Sequence, residues 1–345
     1  MKIALITTTI NVPHVLKLYR KNAHPLYDIK FFVAGDEKTP LEAYEFCAAI
    51  DNCEIYSPER QRELGYACSE LIGWNSIGRR NIMTLEALAW GADIIVTIDD
   101  DNAPFDYGYF RAFSTHLDDG GFMGVKASSK SKWFDVGQLF DPVAPHRGFP
   151  HTKKSEQMFH PITDARVGLA AGICMGDPDI DAATRIVNGP IVHRVSELLR
   201  AGIVTDPRET WTVFNSQNTG FLRELAPAFF MAPGLGRHDD IFASLIVQRV
   251  MRERKMHVHF GTPFVWQQRN EHDLIKDLSV EIFGMSQVVR LGDWLASMAL
   301  PEGSVVEQVA AIMAAADSSG LSYGVLPQQT VEAFDAWLHD CEKVL

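Results

Sequence analysis

No glycine-rich phosphate loop follows the first strand of this sequence, and that gap removes a large class of functions. Residues 2–9, KIALITTT, read as an apolar strand, and the turn after it holds no glycine. A dinucleotide or flavin enzyme would place G-x-G-x-x-G there, so neither NAD nor flavin is expected. Cysteine is scarce too. Cys47, Cys53, Cys68, Cys174 and Cys341 are odd in number and form no C-x-x-C pair, which points to a reducing cytoplasm. No apolar run approaches the ~18–20 residues of a membrane span, and no signal-peptide pattern precedes the first strand. Positive charge is also short: the net charge of −12 argues against nucleic acid or an anionic membrane as partner. An anionic substrate would therefore need a local cationic pocket or a metal. There is no internal repeat, no low-complexity segment and no Ser-His-Asp or Cys-His order.

What remains is a globular composition, 46% hydrophobic over 345 residues, enough for one large domain or a domain with an appendage. The most informative stretch is 91–104, GADIIVTIDDDNAP. Ile94 to Ile98 are apolar and rich in β-branched residues, bounded by Gly91 and by Asn102 and Pro104, so they read as a strand buried on both faces. Asp99, Asp100 and Asp101 follow at its C-terminal end, where open α/β sheets bind ligands. Three adjacent carboxylates repel one another unless a cation or strong donors are present. Hard oxygen ligands suit Mg²⁺ or Mn²⁺, usually bridging to substrate phosphates. The plainer alternative is a solvated acidic turn.

Other segments add to this. Thr7, Thr8 and Thr9 end the first strand, where they either touch a nucleotide or cap the next segment. Residues 29–36, IKFFVAGD, form a second strand ending at Asp36, placed to meet a base edge or ribose, or simply to turn the chain. A third strand is expected near Cys53 to Tyr56. A helix over about Arg79 to Trp90 presents Ile82, Leu85, Leu88 and Ala89 on one face. It starts with Arg79 and Arg80, cations that oppose the helix dipole by roughly 0.3–1 kcal/mol each unless a phosphate sits there. Asp239 and Asp240 open another helix, whose buried face is Ile241, Phe242, Leu245, Ile246 and Val250. Asp177, Asp179 and Asp181 share a loop with Pro178, where they contact sugar hydroxyls or cap the following segment. His257 and His259 alternate in HVHF and share one face of a strand. From about residue 285 the chain becomes amphipathic helices. Their stripes (Val305, Val309, Ile312, Met313; Phe334, Trp337, Leu338, Cys341) are expected to pack on the main domain or on a second subunit of a homo-oligomer.

Several of these stretches together resemble a family. The segment around Arg79, the TIDDDN strand end, LFDPVAPHRGFPH (139–151), GDPDIDAATR (176–185) and GRHDDIFAS (236–244) occur in the same order in the plant reversibly glycosylated polypeptides, which are UDP-arabinopyranose mutases. The similarity is read over about residues 1–280. A bacterial branch acting on GDP-linked L-sugars such as L-fucose and L-galactose is the favoured relative. A broader resemblance reaches STELLO-type glycosyltransferase domains.

The resemblance implies a GT-A-like, nucleotide-sugar-binding α/β fold with a mostly parallel central sheet. A catalytic domain over 1–284 and a C-terminal helical appendage over 285–345 are expected. It further implies a divalent metal, Mn²⁺ or Mg²⁺, and no flavin. Asp99, Asp100 and Asp101 match the metal and diphosphate triplet, Arg79 an arginine before the same strand, and Arg147 the reversibly glycosylated arginine. Asp239 and Asp240 match an Asp pair after Gly-Arg, and Asp179 and Asp181 a Pro-Asp-x-Asp loop. Asn102 stands where the family has a cysteine, and Gln267 where the plant proteins have a histidine. A third metal ligand is thus sought among Gln267, His259 and His272. Catalysis is assigned to Arg147, Asp239 and Asp240, and substrate binding to Thr8, Asp36, Arg79, Arg80, Asp99, Asp179 and Asp181. The expected activity is a metal-dependent, flavin-independent nucleotide-sugar mutase. The alternatives are a glycosyltransferase using a separate acceptor and a self-glycosylated scaffold.

Overall fold

The computed structural model describes residues 1–105, 108–269, 273–318 and 326–345. Its centre is an eleven-stranded sheet. In chain order the strands are β1 (Lys2–Thr9), β2 (Asp28–Gly35), β3 (Cys53–Tyr56), β4 (Ile94–Ile98), β5 (Asn102–Pro104), β6 (Phe122–Ser129), β7 (Gln157–Ala165), β8 (Val167–Gly176), β9 (Ile203–Thr205), β10 (Asn218–Leu222) and β11 (His257–Gln267). Laterally the order is β3-β2-β1-β4-β10-β8-β11-β9-β6-β7, with β5 paired to the end of β11. The pairs β3-β2, β2-β1 and β1-β4 are parallel. Strand β10 enters antiparallel between β4 and β8, and β8 and β11 are again parallel. Seven of the eleven strands therefore run one way, giving the expected α/β class with a mostly parallel central sheet.

The apolar runs explain why these segments are strands. Ile95 packs into the core on one face of the sheet, while Ile94, Val96 and Ile98 pack into the core on the other. Alternation places successive side chains on opposite faces, so a strand apolar on both faces fills both layers; Thr97 is the exception, its hydroxyl donating to the Ser216 carbonyl at 2.9 Å. The connecting helix α1 (Arg80–Trp90) ends at Gly91, whose φ of 83° is the left-handed conformation that favours glycine. It carries the chain straight into β4.

Helix α2 (Asp239–Glu253) lies almost wholly buried. After it come α3 (Leu274–Ser297), α4 (Val305–Ser318) and α5 (Gln328–Val344). Position 284/285 falls inside α3. The apolar stripes of α4 and α5 join the core of the main sheet: the Trp337 ring stacks on Phe230 at 4.8 Å, and its indole N–H donates to the Pro227 carbonyl at 3.0 Å. Of the two packing partners expected for these stripes, this chain's own main body supplies one.

Candidate active site

Strand direction alone gathers the site. Strands β1, β2, β4, β8 and β11 all end on the same side of the sheet, and antiparallel β10 begins there. Thr8, Asp36, Asp99, Asp177, Asp179 and Gln267 thus lie at one edge, with Asn215, Ser216 and Gln217 running into β10. Two cavities open there. The first, of about 250 Å³, is lined by Thr8, Thr9, Asp36, Ser76, Arg80 and Asp99 to Asp101 among others. The second, of about 190 Å³, is lined by Asp99, Asp101, Arg147, Asp179, Ser216, Gln217, Arg237, Asp239, Asp240, Gln267 and Arg269, with Ile77. Asp99, Asp101 and Ile77 belong to both and form the wall between them.

The acidic triplet does not converge on one point. Asp99 accepts from Arg80 at 2.8 Å and from the Gln217 amide at 2.8 Å. Asp100 turns to the Thr9 hydroxyl, and burial raises its pKa. Asp101 keeps a buried oxygen without a hydrogen-bond partner. Burial, with the charges of Asp99 and Asp100, pushes its pKa up to about 7. Among the described residues no group of three or more His, Cys, Asp or Glu side chains is disposed to hold a metal ion. An amide oxygen changes this test. Asn102 pairs with Gln267 across β5 and β11, so the residue beside it, Asp101, is brought to the end of β11. The Gln267 amide oxygen is also buried and unpartnered, and it lines the same cavity. The unpartnered oxygens of Asp101 and Gln267 line the cavity that Asp99 also lines, and hard oxygens are what a divalent cation takes, so these three residues could hold one, while Asp100 lines only the first cavity. His259 is eight residues back along β11, about 26 Å at strand rise, and stacks on His116 at 3.8 Å. It is no ligand here. His257 lies at that far end too, against the Arg166 carbonyl. His272 lies outside the described residues.

The two arginines opening α1 part company. Arg80 reaches Asp99 and the Ser216 carbonyl and hydroxyl. Arg79 is fully buried, donates to Gln61 and to Ser69, and lies 3.9 Å from the Trp74 ring centroid. Expected beside the phosphates, it lines neither cavity: its donors are engaged in the packing behind the helix start. Asp36 accepts the backbone N–H groups of Asn75 at 2.8 Å and Ser76 at 3.1 Å and so holds the loop that carries Arg80. Thr8 lines the first cavity while its hydroxyl donates to the Ala34 carbonyl.

Arg147 is held from three sides. It donates to Asp179 at 2.9 and 3.0 Å, to Asp240 at 3.0 and 3.1 Å, and to the Arg237 carbonyl. Burial alone would lower its pKa, but Asp179 and Asp240 outweigh burial and hold it well above the usual value. Asp179 responds in kind: Arg147 and Arg269 overcome the effect of its burial and keep it well below the carboxylate range. The next residue after Arg147 must be small. A Cβ on Gly148, at φ +81°, would stand 2.4 Å from the Ile241 side chain, so glycine lets the loop sit against α2. Asp240 also accepts the Ser216 N–H at 3.2 Å. Asp239 differs from its neighbour. Among the described residues no arginine is paired with it; burial and the Asp240 charge, only partly offset by Arg147 and Arg80, push its pKa up to about 7. Asp181 lies outside both cavities. It caps the helix Ala182–Val187 through Thr184 N–H at 2.7 Å and accepts from His151 at 2.9 Å, which decides for capping.

Sequence reasoning missed Gln217, Asn215, Ser216, Arg237 and Arg269. Gln217 touches Asp99, 118 positions away, and Asn215 links Gln217 to Asp179 at 3.1 and 2.9 Å. Nothing in a lone FNSQN marks that bridge. The signal that existed was the run of polar residues leading into an apolar strand.

Comparison with known proteins adds three findings. A family model described as reversibly glycosylated polypeptide matches residues 133–344. That span takes in Arg147, Asp179, Asp239, Asp240 and the C-terminal helices, and it begins after the acidic triplet, against the expected 1–280. A probable UDP-arabinopyranose mutase 1 of Zea mays is 25% identical over 157 residues, 43% of this chain and 40% of that protein. UDP-arabinopyranose mutase 1 of Oryza sativa subsp. japonica is 26% identical over the same shares. The chain spans about two-fifths of the length of the curated relatives it matches. Among solved structures, S. aureus TarS 1–349 in complex with UDP-GlcNAc has a TM-score of 0.47 at 12% identity, covering 100% of this chain and 83% of that one. Glucosyl-3-phosphoglycerate synthase from Mycobacterium tuberculosis, in complex with Mn²⁺, UDP-glucose and phosphoglyceric acid, has a TM-score of 0.44 at 15% identity, covering 86% and 80%.

Proposed function

The chain belongs to the reversibly glycosylated polypeptide family, and on that premise we propose that it is a nucleotide-sugar mutase interconverting pyranose and furanose forms of a sugar linked to a nucleoside diphosphate. The observation that carries this is the second cavity. It joins an acidic wall at Asp99 and Asp101 to a carboxyl at Asp239, with Arg147 fixed between Asp179 and Asp240. In this reading the nucleoside takes the first cavity, the diphosphate crosses the Asp99–Asp101 wall, and the sugar enters the second. A divalent cation held by Asp99, Asp101 and Gln267 would supply Lewis-acid charge on the diphosphate oxygens.

Ring contraction needs no co-reactant. The C1–O bond to the diphosphate breaks with its electron pair on oxygen. The O4 hydroxyl bonds to C1 and releases a proton, the C1–O5 bond breaks and O5 takes a proton, and the diphosphate oxygen returns to C1. One group that accepts from O4 and delivers to O5 completes the cycle. Asp239 suits that work, since a carboxyl near pH 7 gives and takes protons with little bias. Arg147 is read as a clamp on substrate oxygens rather than a glycosyl carrier. A guanidinium is charged to begin with, and its two carboxylate partners hold it further from the neutral, nucleophilic form.

The names of the plant relatives support a uridine nucleotide; the lean toward GDP-L-fucose or GDP-L-galactose finds no support in them. The test is incubation with Mn²⁺ or Mg²⁺ and UDP- and GDP-linked sugars, with and without an acceptor alcohol, followed by NMR of the anomeric carbon. A furanose product without acceptor supports the mutase. Sugar transfer that occurs only when an acceptor is added would replace it with a glycosyltransferase. Stoichiometric protein labelling without turnover would replace it with a scaffold.

A further inference from the structure

The second cavity holds an arginine, Arg269, with donors left unused among the described residues. Among the described residues, Nε and one terminal nitrogen of Arg269 have no hydrogen-bond partner although its side chain is only 9% exposed. Among the described residues, its nearest carboxylates are Asp179 at 3.5 Å and Asp177 at 3.9 Å. Each already has a closer arginine, Arg147 for Asp179 at 2.9 Å and Arg185 for Asp177. The other two arginines of the cavity are engaged, Arg147 as described and Arg237 by Glu281 at 2.8 Å. A buried donor without an acceptor destabilises the fold, and such groups in a folded chain call for an explanation, a missing ligand among them. Arg269 shares the cavity with Asp101, whose own unpartnered oxygen suits a cation. A ligand that satisfies both carries negative oxygens able to meet a guanidinium fork while bridging a metal, and a diphosphate does both.

Resting on the reading of this cavity as the sugar-diphosphate seat, we infer that Arg269 grips the sugar-linked phosphate and retains the diphosphate while it is detached from C1. The electron pair of the broken C1–O bond goes to a phosphate oxygen. Two parallel N–H donors meet two such oxygens in the bidentate geometry arginine favours, and the pair returns to C1 when the bond re-forms. Retention matters here because the leaving group is also the returning nucleophile.

Calorimetric titration of the full chain with UDP, GDP and the matching free nucleosides tests this on wild type, Arg269→Gln and Arg269→Lys. Arg269→Gln is expected to weaken diphosphate binding by about tenfold or more, the scale of a lost charged hydrogen bond, with nucleoside binding unchanged. Arg269→Lys should recover part of the loss, because it keeps the charge without the fork. With a sugar nucleotide, Arg269→Gln should release more free nucleoside diphosphate per furanose formed. Wild-type affinity for diphosphate in Arg269→Gln overturns the inference and leaves the reading of the cavity standing. A wild-type chain that binds neither diphosphate overturns both.

Discussion

Removing the guanidinium of Arg147 tests the centre of the site most directly. The side chains of Arg147, Asp179 and Asp240 are 7%, 4% and 3% exposed, so Arg147→Met leaves two buried carboxylates facing each other without their common partner. Breaking a buried pair by deleting one member costs about 3–5 kcal/mol. The pH dependence gives a second signature. In the wild type the depressed pKa of Asp179 contributes stability that is present above the unfolded value of about 3.9 and lost as pH falls through the folded value. In Arg147→Met the pKa of Asp179 rises, and the native state then holds a proton the unfolded chain has released. Stability of the variant therefore increases as pH is lowered from 8 toward 5, by up to about 1.4 kcal/mol per pH unit for that one proton. Urea unfolding followed by circular dichroism at pH 5.5, 7 and 8 measures both effects. Arg147→Lys, which keeps the charge and loses the fork, should fall between. A cost below about 1 kcal/mol at pH 7, or a cost that grows as pH falls, refutes the reasoning.

Three further outcomes follow from the same geometry. Asp239→Asn should lower turnover by about 10²–10⁴-fold while leaving or raising thermal stability, because a buried carboxyl with a raised pKa is removed; an unchanged rate excludes the proton-carrier role. Mn²⁺ should raise the melting temperature more at pH 8 than at pH 6, because Asp101, with its pKa near 7, must lose its proton to bind. Asp101→Asn should remove that difference, and an equal shift at both pH values counts against the ligand assignment. Arg79→Met should cost about 2 kcal/mol of stability, since Gln61 and Ser69 are left unpaired, with nucleotide affinity intact; Arg80→Met should weaken nucleotide binding, as calorimetry would register.

Much of the frame was legible before any coordinates. The apolar run Ile94–Ile98, the strand Lys2–Thr9 and the helix before Gly91 depend on local pattern, so they emerged at or near their boundaries. Asp239 and Asp240 were readable for the same reason, as acids on the first turn of a helix with a buried face. Arg79 and Arg80 were not separable, being adjacent and alike; which one meets Asp99 depends on Gln61, Ser69 and Ser216 arriving from elsewhere. Asp100 was grouped with its neighbours because adjacency in sequence says nothing of where each carboxylate turns.

The sequence by itself determined the first four strands, the acidic turn, the lack of a glycine-rich loop after the first strand and the charge that any anionic ligand must overcome, because each depends on residues a few positions apart. Tertiary structure alone decided which of those acids are neutralised and which stay open. Inserting β10 antiparallel between β4 and β8 brings Gln217 to Asp99, and pairing β5 with the end of β11 sets Gln267 opposite Asn102, the neighbour of Asp101. Those contacts span more than a hundred residues, and the strength of a charge or a hydrogen bond is set by its surroundings rather than by its place in the chain.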